Sequence, residues 1–311
     1  MSWLTDGGEK NKRDWLLTAL AMPVIQAASG SSWLTVFALG ILCLGVCMGV
    51  EALGVPEVKW LRGIQWIWMT VILSTVLGWS VDCWPTDSPV IPGTLLLLAA
   101  WTASGGKERS MRAGNLLRFF VAALLGTVLL SGMWDMRAEH LRPSWQMNNT
   151  DLITVLLLPA AGACLGGKGV GAKCALLGLS VTAAVIVSGV LSGPYAAKQT
   201  SAFYELSKSV RLLGAAERFE SLAAAGMTLG YYVFACWSLS LCGSWAETVT
   251  KKNASWMLWF SAAAAFFGFY KKWQKNSIFT PLGTVIVFIF APVAASIIDG
   301  WRKRKKNPEN I

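Results

Sequence analysis

Residues able to do chemistry are few in this chain, and they are scattered. Gly162-Ala-Cys-Leu-Gly-Gly167-Lys168 satisfies the first seven positions of a phosphate-binding loop, in which glycine amides cradle phosphate oxygens and the lysine reaches them. Gly169 stands where a magnesium-binding Ser or Thr is needed, and the run leaves an apolar segment rather than a soluble strand, so phosphoryl chemistry is not expected. The single histidine, His140, lies in a polar stretch with no cysteine nearby, which leaves neither a metal site nor a histidine relay to a nucleophile. The cysteines Cys43, Cys47, Cys83, Cys164, Cys174, Cys236 and Cys242 mostly sit inside apolar runs without paired short spacings, and read as small buried hydrophobes. No catalytic residue, metal or cofactor is expected, and the chain does not read as an enzyme.

Ionisable residues inside or beside apolar runs are the remaining candidates, because a charge in hydrocarbon must be paired or solvated. Arg118, Glu51, Glu217, Arg218, Glu220 and Glu247 qualify. All lie near the ends of runs, where a long side chain can reach the interface. No acidic residue falls at the centre of a run, which argues against a proton pump with a buried carboxylate relay. Thr18, Gln26 and Ser29 are uncharged polar residues within the first run, suited either to ligand contacts or to helix-helix hydrogen bonds.

The elements that must position these residues are membrane spans. Of the 311 residues 54% are hydrophobic and only 14% charged, against about 25% charged in a soluble domain. Tryptophans cluster near the ends of apolar runs (Trp60, Trp66, Trp68, Trp79, Trp84, Trp134, Trp145), as in an interfacial aromatic belt. About ten segments are long and apolar enough to cross or nearly cross the hydrocarbon. They are 14–29, 33–53, 60–82, 89–104, 114–134, 151–166, 173–193, 219–246, 254–270 and 279–299. Lys10, Lys12 and Arg13 precede the first, but the many spans that follow make it a retained span rather than a cleaved signal.

The net charge of +10 is distributed as short basic clusters between runs, so it reads as topology rather than as a nucleic-acid surface. With the N-terminus in the cytoplasm, the inside connections carry Lys59 and Arg62, then Lys107, Arg109 and Arg112, then Lys168 and Lys173, then Lys251 and Lys252, and finally Arg302 to Lys306. The stretch Asp82 to Asp87 falls outside; Lys271, Lys272 and Lys275 also fall outside, against the rule. The expected organisation is a cytoplasmic tail 1–13, a single membrane domain 14–299 with both termini cytoplasmic, and a basic tail 300–311. The expected fold class is all-α, in a polytopic membrane protein whose obligatory partner is membrane lipid.

Cut near residue 145, the chain falls into two sets of about five segments, 14–134 and 151–299, each opening on a short span with Pro or Gly: Pro23 and Gly30 in the first, Pro159, Gly162 and Gly166 in the sixth. Such a pair points to an inverted-repeat transporter with its site at the breaks, and is equally compatible with the general frequency of Pro and Gly in membrane helices. Gly45 and Gly49, Gly162 and Gly166, and Gly189 and Gly193 stand four apart, a spacing for close helix packing. Between Pro194 and Arg218, Tyr195, Phe203, Tyr204 and Leu206 suggest a helix along the membrane surface.

Three stretches carry a family resemblance: Met22 to Leu34, with Pro23, a small-residue turn and Trp33; Pro92 to Arg112, ending in Gly106, Lys107, Glu108 and Arg112; and Phe203 to Val210 followed by Glu217, Arg218 and Glu220. In these the chain resembles the B subunit of spore nutrient germinant receptors, within the amino acid/polyamine/organocation permease superfamily. The resemblance is loose over most of the chain and specific in about a quarter of it. It implies about ten spans in two inverted five-helix repeats, a LeuT-like arrangement. It also implies a pocket for an amino acid or similar nutrient between the first and sixth spans, here lined by Ala21, Gln26, Pro159, Ala160 and Gly162. The partners implied are an A-type subunit and a lipoprotein C-type subunit, in the bacterial cytoplasmic membrane and specifically the spore inner membrane. The chain departs from the family in its first apolar run, which begins only at Asp14 or Trp15, and in a short sixth segment. An amino acid transporter and a structural scaffold that keeps only the fold are the alternatives.

Overall fold

In lipid the backbone must satisfy its own hydrogen bonds, and helices do so within one segment. A computed structural model describes residues 2–54, 56–81, 88–141, 145, 151–162, 170–191, 195, 199, 201–209, 219–251, 255–271 and 279–306. The elements are α1 (Ser2–Ser29), α2 (Trp33–Leu53), α3 (Lys59–Val81), α4 (Val90–Ser104), α5 (Lys107–Trp134), α6 (Asp151–Gly162), α7 (Val170–Leu191), α8 (Ala202–Ser209), α9 (Phe219–Thr250), α10 (Ser255–Tyr270), α11 (Phe279–Val285) and α12 (Ala291–Lys306). A 3₁₀ turn spans Ala138–His140, and a π-helical stretch, Ile286–Phe290, joins α11 to α12. Among the described residues there is no strand. The π stretch ends just before Pro292, which has no N–H to give and whose ring crowds the carbonyl four residues back; a wider turn relieves both.

Among the described residues six helical segments are long and apolar enough to cross a membrane: α2, α3, α5, α7, the Ala223–Thr250 part of α9, and Phe279–Trp301; α4 and α6 are shorter apolar helices. Outward faces such as Ile41 and Leu42 on α2, Leu97 and Leu98 on α4, Phe119 and Phe120 on α5 and Phe260 on α10 are exposed. Apolar exposure over so many neighbouring helices fits an integral membrane protein, whose outer solvent is lipid.

The core draws on nearly every helix, with two at its centre. Trp15, Leu16, Ala19, Leu20, Met22, Val24 and Ile25 of α1 are buried, and α1 packs on α5, α6, α7 and α9. Helix α9 buries Tyr231, Phe234, Trp237 and Trp245 and packs on α1, α3, α4, α5 and α10. A further set of contacts joins α2 to α6 and α7, and α10 to α3 and α4.

Several expectations change. The first helix is 28 residues long and runs unbroken through Pro23, and the residues ahead of Trp15, which hold no proline, extend it even across Gly7 and Gly8. The segment expected along the membrane surface packs against protein: α8 buries Ala202, Phe203, Tyr204, Leu206 and Ser207 and packs on α1, α5, α7 and α9. Its polar groups find partners there, so burial leaves them satisfied. The Gly45 and Gly49 face is open, with nothing near either position, whereas Gly162 and Gly189 do sit in close contacts. Trp66 and Trp68 turn inward and donate to Ser261 Oγ at 2.7 Å and Thr284 Oγ1 at 3.0 Å. Trp68 also lies over Gly283, where a Cβ would overlap the indole.

Candidate functional site

The expected pocket residues sit on α1 and α6, which pack together and share α7 as a neighbour, while α6 also packs on α2. Helix α6 is almost wholly buried from Leu152 to Gly162, apart from half-buried Ile153. Pro159 lies within it, so the Val155 carbonyl loses its usual amide partner. On the α2 side the Cys47 thiol lies 3.8 Å from both the Leu156 and Leu157 carbonyls and donates weakly to that turn. Gly162 faces α1 and α9: a Cβ there would lie 2.8 Å from Leu16 Cδ1 and 3.4 Å from Trp237. Ala160 is buried, and Ala21 is half-buried against the core.

A cavity of ≈ 20 Å³ lies where α1, α2, α6 and α7 meet, lined among others by Val24, Cys47, Val155, Pro159 and Lys173. About 10–15 Å³ is enough for a water molecule, so this arrangement has room for one water rather than for an amino acid. Lys173 is 3% exposed and pairs with Glu51 at the end of α2. The contact is a close ion pair rather than an aligned hydrogen bond, and Glu51 Oε1 has no hydrogen-bond partner among the described residues. Two charges withdrawn from water in this way are bound to each other by the cost of separating them.

The other polar candidates divide by partner. Gln26 is buried and its Oε1 accepts from Ser201 Oγ at 3.1 Å, which ties α1 to the residue preceding α8. Thr18 and Ser29 donate to the carbonyls of Asp14 and Ile25 one turn back in their own helix. Pro23 is buried within α1. Trp33 donates to the Leu141 carbonyl at 3.3 Å. Arg112 makes an exposed pair with Glu108 at 3.5 Å, and Glu220 accepts from the Tyr204 hydroxyl. Glu217 and Arg218 lie outside the described residues, as do Gly166, Lys168, Gly193, Lys272 and Lys275.

Sequence reasoning gave Lys173 to a loop as an orientation signal and left Glu51 to reach the interface; the fold buries the lysine and pairs the two. It also missed Asp14, the partner of Arg118, and the buried Arg62, which donates to Gln65 at 2.9 Å. The last had a local signal, since positions three apart share a helix face; Glu51 and Lys173 had none, because nothing short-range connects α2 to α7. No protein-family model matches the chain, and no curated protein matches it; what it does is to be sought in its own residues.

Proposed function

We propose that the chain is a membrane subunit of a nutrient-sensing complex like the spore germinant receptors, with about ten spans in two inverted repeats and both termini in the cytoplasm. The observation that carries this reading is the packing of two proline-bearing helices, α1 and α6, with α2 and α7 around a buried ion pair. Helix pairings support the repeat: α1 packs on α7 as α6 packs on α2, and α3 packs on α10 as α9 packs on α4. These are the pairs that a five-span offset exchanges. Sensing would work by population shift, a ligand favouring an arrangement in which α1 and α6 part and the small cavity between them opens. The change would pass to A-type and C-type partner subunits.

The test is the melting temperature of the purified full chain across a panel of amino acids. A ligand-specific rise that is lost in Gly162→Leu supports the reading. A flat response across the panel overturns it. The second reading, a scaffold that retains only the fold, is favoured by the ≈ 20 Å³ size of the cavity; robust uptake of a labelled amino acid into proteoliposomes would instead make the protein a transporter.

A further inference from the structure

Helix periodicity places the small cavity among α1, α2, α6 and α7 next to the buried ion pair. Gly40, Leu44 and Cys47 of α2 line it, and Glu51 continues their face one turn on. On α7, Lys173 lines it together with Leu176 and Leu177, one turn further along the helix. Val155 and Pro159 of α6 and Val24 of α1 close the other sides.

Most of this wall is leucine and valine, and a purely apolar cavity stays dry. Two polar groups change that expectation. Lys173 is 3% exposed, and although it pairs in charge with Glu51, its Nζ has no aligned hydrogen-bond partner among the described residues. An ammonium has three hydrogens to donate, and leaving a buried one without acceptors is costly. The Val155 carbonyl, one turn before Pro159, has lost its usual amide donor. The Cys47 thiol does not replace that donor, since it faces the Leu156 and Leu157 carbonyls.

We propose that the cavity holds one ordered water, which accepts from the Lys173 ammonium and donates to the Val155 carbonyl. Size and charge select this occupant. The volume of ≈ 20 Å³ exceeds the roughly 10–15 Å³ that one water needs. A metal cation would meet the Lys173 ammonium, and an anion would meet the Glu51 carboxylate, each a like charge at short range in a low-dielectric site. The two open groups call for a neutral molecule that both accepts and donates, and water is the smallest one. A water bridging two protein groups is enthalpically close to a direct hydrogen bond. It keeps Lys173 charged and paired while buried, and it satisfies the carbonyl that the proline exposes. The inference holds whether the protein senses a nutrient or only keeps the fold. Because four helices each supply a wall, parting α1 from α6 releases the water.

The test is magic-angle-spinning NMR of the full chain in lipid bilayers, reading short-range magnetisation transfer from water hydrogens to the Lys173 Nζ nitrogen and to the Val155 carbonyl carbon. Lys173→Arg identifies the lysine signal. Transfer to both nuclei is expected. Val155→Ile adds one carbon at the cavity wall and should abolish transfer to both. A lysine without water contact overturns the proposal. Water at Lys173 without water at Val155 overturns it too, because that water arrives along the ion pair from the membrane surface. Transfer retained at both nuclei in Val155→Ile, in a spectrum otherwise like that of the parent, overturns it as well. Should that variant fail to fold, the two signals of the parent chain decide by themselves.

Discussion

The region around α1, α6 and α7 and the space between α4 and α10 are both walled by apolar helices, yet one is filled and the other has room. The first holds a buried ion pair beside space for one water; the second holds separate cavities of ≈ 270 and ≈ 290 Å³, with a charge of each sign at its mouth. Side-chain size accounts for much of the difference. Leu16 and Trp237 press on Gly162, and Leu177 presses on Gly40, so the glycines in the first region are filled by neighbours. Along α4 and α10, Gly93, Ala262 and Ala263 leave a channel that Phe266 only partly closes. A closed region is one where ligand binding must be coupled to helix movement; an open one can be occupied without it.

The largest effect is expected at the ion pair. Lys173→Met leaves Glu51 without its partner and should lower stability by about 3–5 kcal/mol, read as a fall in melting temperature in nanodiscs. Adding Glu51→Leu should restore most of it; a single variant that melts like the parent would mean the pair does not hold this region shut. Next comes Gly162→Leu, which overpacks against Leu16 and should cost about 1–3 kcal/mol while blocking any ligand-induced stabilisation. Ligand stabilisation retained in this variant would remove α6 from the ligand site. Ser201→Ala takes one hydrogen bond from Gln26, worth about 0.6 kcal/mol within a membrane protein, and should loosen α8 from α1 in hydrogen exchange. The smallest stability change belongs to the roomier region: exposed Ala263, replaced by Trp, should stay within about 0.5 kcal/mol of the parent in detergent. A large destabilisation there would show that the space is packed protein rather than a cavity.

Much of the helical layout was legible. The bounds 33–53 and 254–270 differ little from α2 and α10 because an unbroken apolar run between polar breaks leaves few alternatives in lipid. The start of α1 was not legible from hydropathy, since residues 2–13 are mostly charged, polar or glycine and carry helix without forming an apolar run. The same limit applied to α8. Phe203, Tyr204 and Leu206 mark an amphipathic turn, and only the partners offered by α1 and α9 decide that its apolar face is buried in protein.

Of the residues expected at a pocket, Pro159 lies on the wall of the small cavity while Ala21, Gln26, Ala160 and Gly162 are not among its lining residues; the sequence marks Pro159 through a residue type that acts on the local backbone whatever surrounds it. It could not identify Lys173. A lysine near the end of an apolar run has the same local pattern whether it meets water, headgroups or a carboxylate from a distant helix. What the sequence determined by itself is which segments leave water and where their backbones are interrupted, because both depend on residues a few positions apart. What only the tertiary structure decided is which charges are paired and which spaces are filled, because those depend on side chains brought together from separate helices.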